Sequence, residues 1–512
     1  MQTTCTANSS ILSFLASFAA DFKQRDRDDR KPFGKSFRVR ETGLSGSTRR
    51  TCNGAGSFTS NGVFTFSAVA RWMPAGAVRS LYAAATGIVL SWYSFGPVAN
   101  LFYFLPVVVG YGSMLLARQH CGAITFVAAF GFLLTWDLNG GPVIPWYRSE
   151  FDSWDLDRSP PGAFMVLILK VISVSMNYQD GLIKNEEELR SSQKKNLVKN
   201  LPSPVQYLGY CFNCGTHLAG PVYEFNDYMD WAEDKGLWSL DSARPFPSPF
   251  GAAFGAFLQA LLCMSIYMFM LPRFPLSKFA SLEYQKWGFW HRLKYMYSSG
   301  FTARWKYYFV WSLSESSMII SGLGFSGWTA PDDDKVVKAK WTRAKNVDIV
   351  KVEFAKSGVE LPMYWNISVS TWLRHYVYER LVPRGGKAGF SQLLTTQVVS
   401  AVWHGLHTGY LLYFIHSALM ISGSKVIFKW QSALPEKAVW ARALGHLING
   451  LFVALVNNYA AIGFLLLSYQ ETLQAFSSVY YVGTVVPIAI ILFGHFVKPP
   501  RAGSTVHTKK IQ

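Results

Sequence analysis

His404 interrupts an apolar stretch near the C-terminal end of the chain, which reads VVSAVWHGLHTGY over residues 398–410. An ionisable side chain in such a stretch is costly in a membrane and usually faces the protein interior or a water-filled cavity. A neutral imidazole near pH 7 accepts protons, so His404 is a candidate general base. A structural histidine that only makes a hydrogen bond fits the same pattern. The residues alone leave both interpretations open.

Helical spacing predicts one shared face around this histidine, formed by Ser400, His404, His407 and Leu411. Gly405 and Gly409 are small residues four positions apart, which indicates a close approach by a neighbouring helix. Neither histidine has a carboxylate or a cysteine beside it in sequence. We therefore expect no metal ion at this position.

The second candidate is Asn366, in the segment LPMYWNISVSTWLRHYVYERL over residues 361–381. An asparagine amide both donates and accepts hydrogen bonds. A stripe of large side chains at helical spacing lies beside it, formed by Trp365, Val369, Trp372 and Tyr376. One interpretation is a functional amide inside a membrane-embedded site. The other is an amphipathic interfacial helix whose asparagine is bonded to backbone, and the residues do not decide between the two.

The composition predicts that a membrane bundle positions these side chains. The chain has 512 residues, of which 50% are apolar and 16% are charged, whereas about 25% of residues are charged in an average soluble protein. These proportions exclude a disordered, collagen-like or coiled-coil protein. With only 6 cysteines in this length, a disulfide scaffold is excluded as well.

Apolar runs of about 20 residues are long enough to cross a bilayer as helices. Candidate spans lie near 80–96, 98–117, 122–138, 162–178, 250–271, 307–328, 391–422, 446–468 and 479–497. The run 391–422 is either one long helix or a broken pair, and less apolar helices are expected near 203–220 and 361–381. We predict an all-α polytopic membrane protein with roughly 9–11 transmembrane helices.

Much of the net charge of +18 lies in segment 272–310 and in the tail that begins at Lys498, whereas segment 329–357 is mixed, with three aspartates followed by five cations. Basic loops favour the cytosolic side of a membrane. We therefore place these three segments, and with them the C-terminus, in the cytosol. The same rule explains the basic composition without nucleic-acid binding, so we expect no nucleic-acid partner.

The first part of the chain differs in composition from the rest. Residues 1–70 are rich in serine and arginine, and their one apolar patch, 11–20, is too short to span a membrane. A signal peptide has basic residues before its apolar patch, and none precedes this one. Three aspartates over 26–29 do not suit a transit peptide, which has few acidic residues. We expect a variable, disordered N-terminal extension over residues 1–70.

The other two parts of the predicted organisation are a transmembrane domain over residues 71–500 and a basic cytosolic tail over 501–512. The tail carries Lys509 and Lys510 close to its end. This pair resembles a dilysine retrieval signal of the endoplasmic reticulum, which acts only on a cytosolic tail.

Several stretches together resemble the membrane-bound O-acyltransferase (MBOAT) family, and within it the plant-type lysophospholipid acyltransferases. The two candidate segments, WNISVSTWLRHYVYERL and SAVWHGLHTGY, resemble its signature. The supporting stretches are LKVISVSMNYQDG (169–181), GYCFNCGTHLAGPVYEFNDYMDW (209–231), GFTARWKYYFVWSLSESSMIISGLGFSGW (300–328) and AKWTRAKNVDIVKVEFAKS (339–357). They agree with the family in order and spacing, over most of residues 71–500.

The resemblance implies an MBOAT-type bundle in the endoplasmic-reticulum membrane. It implies an enzyme that moves a fatty acyl group from acyl-CoA to the free hydroxyl of a lysophospholipid, with lysophosphatidylcholine the favoured acceptor, in phospholipid remodelling. Acyl-CoA is then a co-substrate, and no permanently bound cofactor is expected. By the same resemblance, His404 is the family's membrane histidine and Asn366 is its paired asparagine.

An acyl-CoA thioester is already activated, so such an enzyme needs no covalent nucleophile. It needs a base for the acceptor hydroxyl, here His404, and donors for the developing oxyanion. Asn366 either orients His404 or is one of these donors. Further substrate-binding residues are expected at Trp365, Trp372, Arg374, Trp403, Ser400, Arg304 and Lys306. The CoA phosphates are expected to attract cations among Arg304, Lys306, Lys340, Arg343 and Arg374.

Three alternatives stay open at this point. In the first, the enzyme belongs to the same superfamily but uses a different acceptor, such as diacylglycerol, a sterol or a protein. In the second, the chain is a membrane transporter, and in the third it is a non-catalytic scaffold. The sequence contains no motif for headgroup preference, acyl-chain preference or oligomeric state. It departs from the family at Thr408, where the family usually has proline, and over residues 51–70, where the expected apolar first helix is poor.

Overall fold

The structure, a computed structural model, describes residues 62–139, 162–183, 186–217, 219–239, 244–329, 337–383, 385–386, 388–435 and 437–499. Within these ranges the chain is helical, and β-type pairing is confined to an isolated bridge between Trp328 and Ala339. The predicted basic tail over 501–512 and residues 1–61 of the predicted N-terminal extension lie outside the described residues.

The N-terminal half contains eight helices within these ranges. They are α1 (62–70), α2 (Ala77–Leu116), α3 (Cys121–Asn139), α4 (Gly162–Gly181), α5 (Ser191–Asn196), α6 (Pro204–Phe212), α7 (Cys214–His217) and α8 (Phe225–Ala232). Helix α2 is interrupted at Gly96, whose φ of 82° is not helical. Helix α6 begins with Pro204 at its first position and with Ser203 as N-cap, whose hydroxyl accepts the Gln206 N–H.

The C-terminal half contains twelve helices within the described ranges. They are α9 (Phe250–Met270), α10 (Leu282–Lys286), α11 (Phe289–Ile320), α12 (Ile349–Glu353), α13 (Leu361–Tyr364), α14 (Ile367–Leu373), α15 (Glu379–Leu381), α16 (Phe390–His404), α17 (Thr408–Ser432), α18 (Val439–Leu466), α19 (Tyr469–Ser477) and α20 (Val482–Phe496). A π-helical turn, Arg374–Tyr378, joins α14 to α15. Short 3-10 turns occupy Glu186–Glu188, Gly236–Trp238, Leu271–Arg273 and Leu276–Ala280.

Four helical segments in the described part of the chain are long and apolar enough to cross a membrane: Gly162–Gly181, Phe250–Ala280, Thr408–Ser432 and Val439–Leu466. The pair α19 and α20, bent by 73°, makes a fifth if it is one broken span. Two shorter apolar helices, Asn100–Leu116 and Cys121–Trp136, accompany them. The chain is thus an all-α polytopic membrane protein, as predicted. The larger number of spans expected from the sequence stays a prediction.

Helix α9 shows how the bundle separates an outer from an inner face. Its exposed large side chains repeat mostly every fourth residue: Phe250, Phe254, Leu258, Leu262 and Phe269. Its buried side chains, Ala253, Ala260, Cys263, Met264 and Tyr267, are on the whole smaller. One helical face therefore presents bulky apolar side chains to lipid, while the opposite face packs closely on α11.

The sequence predictions agree well with the observed helices, with three differences. Residues 307–320 of the predicted span 307–328 form the end of a longer helix, Phe289–Ile320, and residues 321–328 are not helical. The run 391–422 is a broken pair, because Gly405 has a φ of 126° and ends α16. Residues 62–70, expected to belong to the disordered extension, are helical, and Ser67 is buried against Ser317 with 2.9 Å between the hydroxyl oxygens.

Helix α4 lies at the centre of the largest apolar cluster, and it also carries a buried cation. The Nζ of Lys170 donates to the carbonyl of Tyr210 (3.2 Å) and to the hydroxyl of Thr216 (3.0 Å), and it lies 4.8 Å from the Tyr223 ring centroid. Carbonyls in the last turn of a helix have no partner inside that helix and attract cations. Lys170 therefore fastens the end of α6 and the start of α7 to the central helix.

Helices α17 and α18 come into close backbone contact at Gly409. A methyl group there would lie 2.1 Å from the Gly463 carbonyl oxygen, and the Gly409 N–H donates to the Leu467 carbonyl at 3.1 Å. The close approach predicted for Gly409 is confirmed. It matters for the site because it fixes the C-terminal end of α18 beside the residues that follow His404.

We predict that Gly409→Ala destabilises the protein, because the added methyl overlaps backbone that cannot move without separating α17 from α18. Overpacking of this kind costs about 1–3 kcal/mol. The measurement is the thermal unfolding midpoint of the detergent-solubilised protein. The control is Gly255→Ala on α9, where a methyl group meets nothing within 4 Å. Equal midpoints for the two variants would show that the helix contact at Gly409 is not tight.

Candidate active site

His404 is the last residue of α16, and its ring is surrounded by aromatic side chains. The ring stacks on Phe414 at 5.2 Å between centroids and meets the edge of Phe464 at 5.1 Å, and Trp403 and Tyr410 also contact it. The side chain is half-buried. Within the described part of the chain, no hydrogen bond engages either ring nitrogen. An imidazole in this setting has a nitrogen free to take a proton.

The prediction that Ser400, His404, His407 and Leu411 share one helical face is wrong beyond His404. Gly405 breaks the helix, and His407 becomes the N-cap residue of α17. Ser400 is buried one turn before His404 on α16. The helix break places the His404 ring at a helix end rather than along a continuous face.

Asn366 has a left-handed backbone (φ 44°, ψ 55°) and directly precedes α14. Asparagine is among the few residues that adopt this conformation readily. Its side-chain oxygen accepts a hydrogen bond from the Asn346 amide at 3.1 Å. This oxygen is therefore bonded to another side chain and not to backbone, as the second interpretation of the sequence required.

Two tryptophans hold the segments of Asn366 and His404 against one helix. The Trp372 indole N–H donates to the Leu169 carbonyl (3.1 Å) and to the Ser173 hydroxyl (2.8 Å). The Trp403 indole N–H donates to the Met165 carbonyl (3.0 Å). Positions 165, 169 and 173 lie four residues apart and so share one face of α4. Both tryptophans, predicted to bind substrate, use their N–H groups inside the protein and bring the two segments together.

Trp365, the residue before Asn366, packs on helix α11. Its ring meets Trp311 at 4.8 Å and both Tyr307 and Tyr308 at 5.7 Å between centroids, all near edge-to-face. Such aromatic pairs add about 0.5–1.5 kcal/mol beyond the area they bury. The backbone at Asn366 is thus tied to α11 on one side and, through Trp372, to α4 on the other.

Arg304 on α11 is buried in a polar network that the sequence did not predict. Its Nε and Nη2 bond to the two carboxylate oxygens of Glu353, each at 2.8 Å, and its Nη1 bonds to the side-chain oxygen of Asn458 at 2.6 Å. The hydroxyl of Tyr308 donates to the same carboxylate at 2.6 Å. The charge of Arg304 is therefore neutralised within the bundle, which is the usual condition for burying an arginine.

A cavity of about 30 Å³ adjoins this network and is lined by polar side chains that include Tyr297, Glu353, Asn457 and Asn458. That volume has room for about two water molecules. The hydroxyl of Tyr413 donates to Asn457 at 3.3 Å.

The Tyr413 ring contacts Phe414 and Phe464, the same two rings that pack on His404. On the other side of the network, Tyr308 contacts Trp365, the neighbour of Asn366. The polar network thus links the surroundings of the two candidate residues.

The remaining predicted cations lie in different surroundings. Arg374 has a side chain that is 72% exposed and pairs with Glu379 at 2.9 Å. Arg343 pairs with Asp227, and Lys340 is exposed. Lys306 is half-buried on α11. The proposed role of these cations toward CoA stays a prediction.

A second buried polar cluster holds the π-helical turn that follows α14. The Tyr376 hydroxyl donates to the Glu224 carboxylate at 2.7 Å and accepts from the Asn177 amide at 2.9 Å. Burial raises the pKa of the Glu224 carboxyl. The sequence indicated the stretches that contain these residues but not their pairing. No local pattern marks contacts between residues so far apart in the chain.

The chain belongs to the membrane-bound O-acyltransferase family: residues 154–466 match the family described as MBOAT. The resemblance found in the sequence is thereby confirmed, and the chain is an O-acyltransferase. Lysophospholipid acyltransferases 1 and 2 of Arabidopsis thaliana are 53% and 52% identical to it over 433 residues, which is 84% of this chain and 91% of each relative. The human membrane-bound glycerophospholipid O-acyltransferase 2 is 27% identical over 84% of this chain and 81% of its own length.

We predict that Glu353→Ala strongly destabilises the protein, because it leaves the Arg304 charge buried without its partner. Breaking a buried pair in this way costs about 3–5 kcal/mol. The matched control is Lys235→Ala, which removes an exposed partner of Glu233 and costs about 0–1 kcal/mol. Thermal unfolding midpoints of the two purified variants make the comparison. A Glu353→Ala midpoint as high as that of the control would mean that the buried network does not hold α11 and α12 together.

Proposed function

We propose that this chain is an acyl-CoA-dependent lysophospholipid acyltransferase that esterifies the free hydroxyl of a lysophospholipid, with lysophosphatidylcholine the favoured acceptor. The family supplies the reaction class. The names of the relatives at 53% and 52% identity supply the acceptor class, and the similarity extends over nearly their whole length. Phospholipid remodelling is the process that such an activity serves.

The observation that carries the proposal is the placement of His404. Its ring projects from a helix end into an aromatic enclosure, and no hydrogen bond within the described residues occupies its nitrogens. His416 on α17, by comparison, has both ring nitrogens bonded, to the Leu412 carbonyl and to the Thr484 hydroxyl. His416 is thus a structural histidine, whereas His404 is arranged as a proton acceptor.

In the proposed reaction, His404 takes the proton of the lysophospholipid hydroxyl while the hydroxyl oxygen attacks the thioester carbonyl carbon. The tetrahedral intermediate carries its negative charge on the former carbonyl oxygen. Collapse of this intermediate breaks the carbon–sulfur bond, and the CoA thiolate receives the proton from His404. One ester forms, one thioester is lost, and the histidine returns to its neutral state.

Asn366 is proposed to stabilise the intermediate by donating to the oxyanion. Removing one such donor costs about 10²–10³ in kcat in other enzymes. The aromatic side chains around His404 keep bulk water from the thioester, which would otherwise hydrolyse it. The membrane-embedded bundle also offers an apolar environment for the acyl chain.

We further propose an endoplasmic-reticulum location with a cytosolic C-terminus, so that acyl-CoA arrives from the cytosolic side. The support is the distribution of basic segments in the sequence and the lysine pair at 509–510. Exposed cations such as Lys340 are the proposed first contacts of the CoA phosphates.

A panel of acceptors separates the proposed activity from its rivals. Microsomes from cells without their own lysophospholipid acyltransferase receive labelled oleoyl-CoA and, in turn, lysophosphatidylcholine, other lysophospholipids, diacylglycerol or a sterol. We expect label in the diacyl phospholipid. Label in triacylglycerol or sterol ester instead would transfer the proposal to another acceptor. Uptake of a solute into proteoliposomes without any acyl transfer would favour a transporter.

We predict that His404→Ala lowers kcat by about 10²–10⁴-fold, the range that a general base typically contributes. The matched control is His407→Ala, three residues away at the start of α17, which should retain most of the activity. Both are compared with wild type at equal expression, using labelled oleoyl-CoA and the acceptor found in the panel. An active His404→Ala variant would remove His404 from the mechanism while leaving the reaction class in place.

A further inference from the structure

Asn346 holds the start of α14 by three hydrogen bonds. Its backbone carbonyl accepts the Ile367 N–H at 2.9 Å, and its side-chain oxygen accepts the Ser368 N–H at 2.9 Å. Its side-chain nitrogen donates to the side-chain oxygen of Asn366 at 3.1 Å. Asn346 is only 2% exposed. A buried asparagine with its whole side chain committed to one short segment has a strict orientation.

The bonding pattern also fixes which atom of Asn366 faces which way. A backbone N–H is always a donor, so the Asn346 atom beside Ser368 N must be oxygen. The other terminal atom of Asn346 is then nitrogen and a donor. Its partner on Asn366 must be the amide oxygen, since two NH₂ groups facing each other make no hydrogen bond. The NH₂ group of Asn366 is consequently directed away from Asn346.

We propose that Asn346 is a positioning residue that makes Asn366 a hydrogen-bond donor in the active site. The proposal rests on the proposed function and deepens it. With its oxygen facing Asn346, the Asn366 amide presents its NH₂ group to the neighbours on its other side. A group restricted to donation serves the oxyanion of the tetrahedral intermediate. It does not serve the N–H of a His404 imidazole, which needs an acceptor.

The loop that carries Asn346 is braced against the segment that carries Asn366. The Asp348 N–H donates to the Tyr364 carbonyl at 2.9 Å, and the Asp348 carboxylate pairs with Lys345 at 3.0 Å. Burial alone would raise the pKa of Asp348, but the hydrogen bonds from Lys345 and from the Lys351 N–H outweigh it and lower the pKa. Asp348 is therefore ionised at neutral pH, and the brace on both sides of Asn346 is intact there.

The direct test is Asn346→Asp, which keeps size and shape. The carboxylate can still accept the Ser368 N–H, but it cannot donate to the Asn366 oxygen. The Asn366 amide is then expected to rotate and donate to the new carboxylate, which turns its oxygen toward the substrate. We expect kcat to fall by about 10²–10³-fold, as for the loss of an oxyanion donor. The KM values for acyl-CoA and for the lysophospholipid should stay near those of wild type.

The matched control is Asn213→Asp. Asn213 is 1% exposed, and its side-chain oxygen accepts the Gly215 N–H at 3.0 Å, as that of Asn346 accepts Ser368. Its side-chain nitrogen has no partner in the described structure, so the substitution buries a carboxylate without turning another amide. We expect kcat to be far less affected by Asn213→Asp than by Asn346→Asp. Equal losses of kcat would mean that any buried carboxylate has this effect, and the proposal would fail.

The double variant Asn346→Asp, Asn366→Ala separates positioning from general support of the fold. If Asn346 acts through Asn366, the double variant loses no more kcat than Asn366→Ala alone. Single-turnover assays with enzyme in excess resolve these low rates. Two results would assign Asn346 a purely structural role. One is a loss of kcat in the double variant that equals the product of the losses in the two single variants. The other is a thermal unfolding midpoint of Asn346→Asp that falls together with its kcat.

Asn366→Asp gives a second route that leaves Asn346 untouched. One carboxylate oxygen still accepts from Asn346, so the segment keeps its support, and only the donor is lost. We expect kcat to fall as far as in Asn366→Ala. A fully active Asn366→Asp together with an inactive Asn366→Ala would show that the amide works as an acceptor, which overturns the proposal. Wild-type activity in Asn366→Ala would instead show that the proposed role of Asn366 itself is wrong.

Discussion

One face of helix α4 holds the two segments of the candidate active site. Its three acceptors are spaced four residues apart. The Met165 carbonyl accepts the indole N–H of Trp403, and the Leu169 carbonyl and the Ser173 hydroxyl accept that of Trp372. Each hydrogen bond contributes only about 0.5–1.5 kcal/mol, yet each also sets the distance and the rotation of a helix. Because Trp403 precedes His404 and Trp372 lies on the helix that Asn366 begins, α4 brings together two segments that are distant in sequence.

Polar side chains inside a membrane bundle are costly unless they are paired, and this chain pairs them across elements. Arg304 meets Glu353 and Asn458, Lys170 meets helix-end carbonyls, and Asn346 meets Asn366. The His404 ring, by contrast, has aromatic neighbours and no hydrogen-bond partner within the described residues. The contrast with His416, whose two ring nitrogens are both bonded, supports the proposed role of His404 as the proton acceptor.

Local patterns in the sequence predicted the helices, the break within 391–422 as one of two options, and the two candidate residues. They did not predict the shared surface on α4, because nothing near Trp372 or Trp403 in sequence points to residues 165–173. For the same reason Arg304 was assigned to CoA by its basic neighbours, whereas its partner, Glu353, lies 49 residues away. The predicted continuous face from Ser400 to Leu411 is wrong because the helix ends at Gly405, and the positive φ of Gly405 cannot be predicted from the spacing of apolar residues.

Thr408 in place of proline has little structural consequence, because the first position of a helix has no N–H bond to lose.

The central claim is that His404 and Asn366 act on the same reacting atoms. An experimental structure of the protein with a non-hydrolysable acyl-CoA analogue and a lysophospholipid tests it directly. The account predicts the acceptor hydroxyl within about 2.6–3.2 Å of a His404 ring nitrogen and the analogue's carbonyl oxygen within hydrogen-bond distance of the Asn366 nitrogen. An acyl group bound in contact with neither residue, or with the Asn366 oxygen turned toward it, would contradict the account.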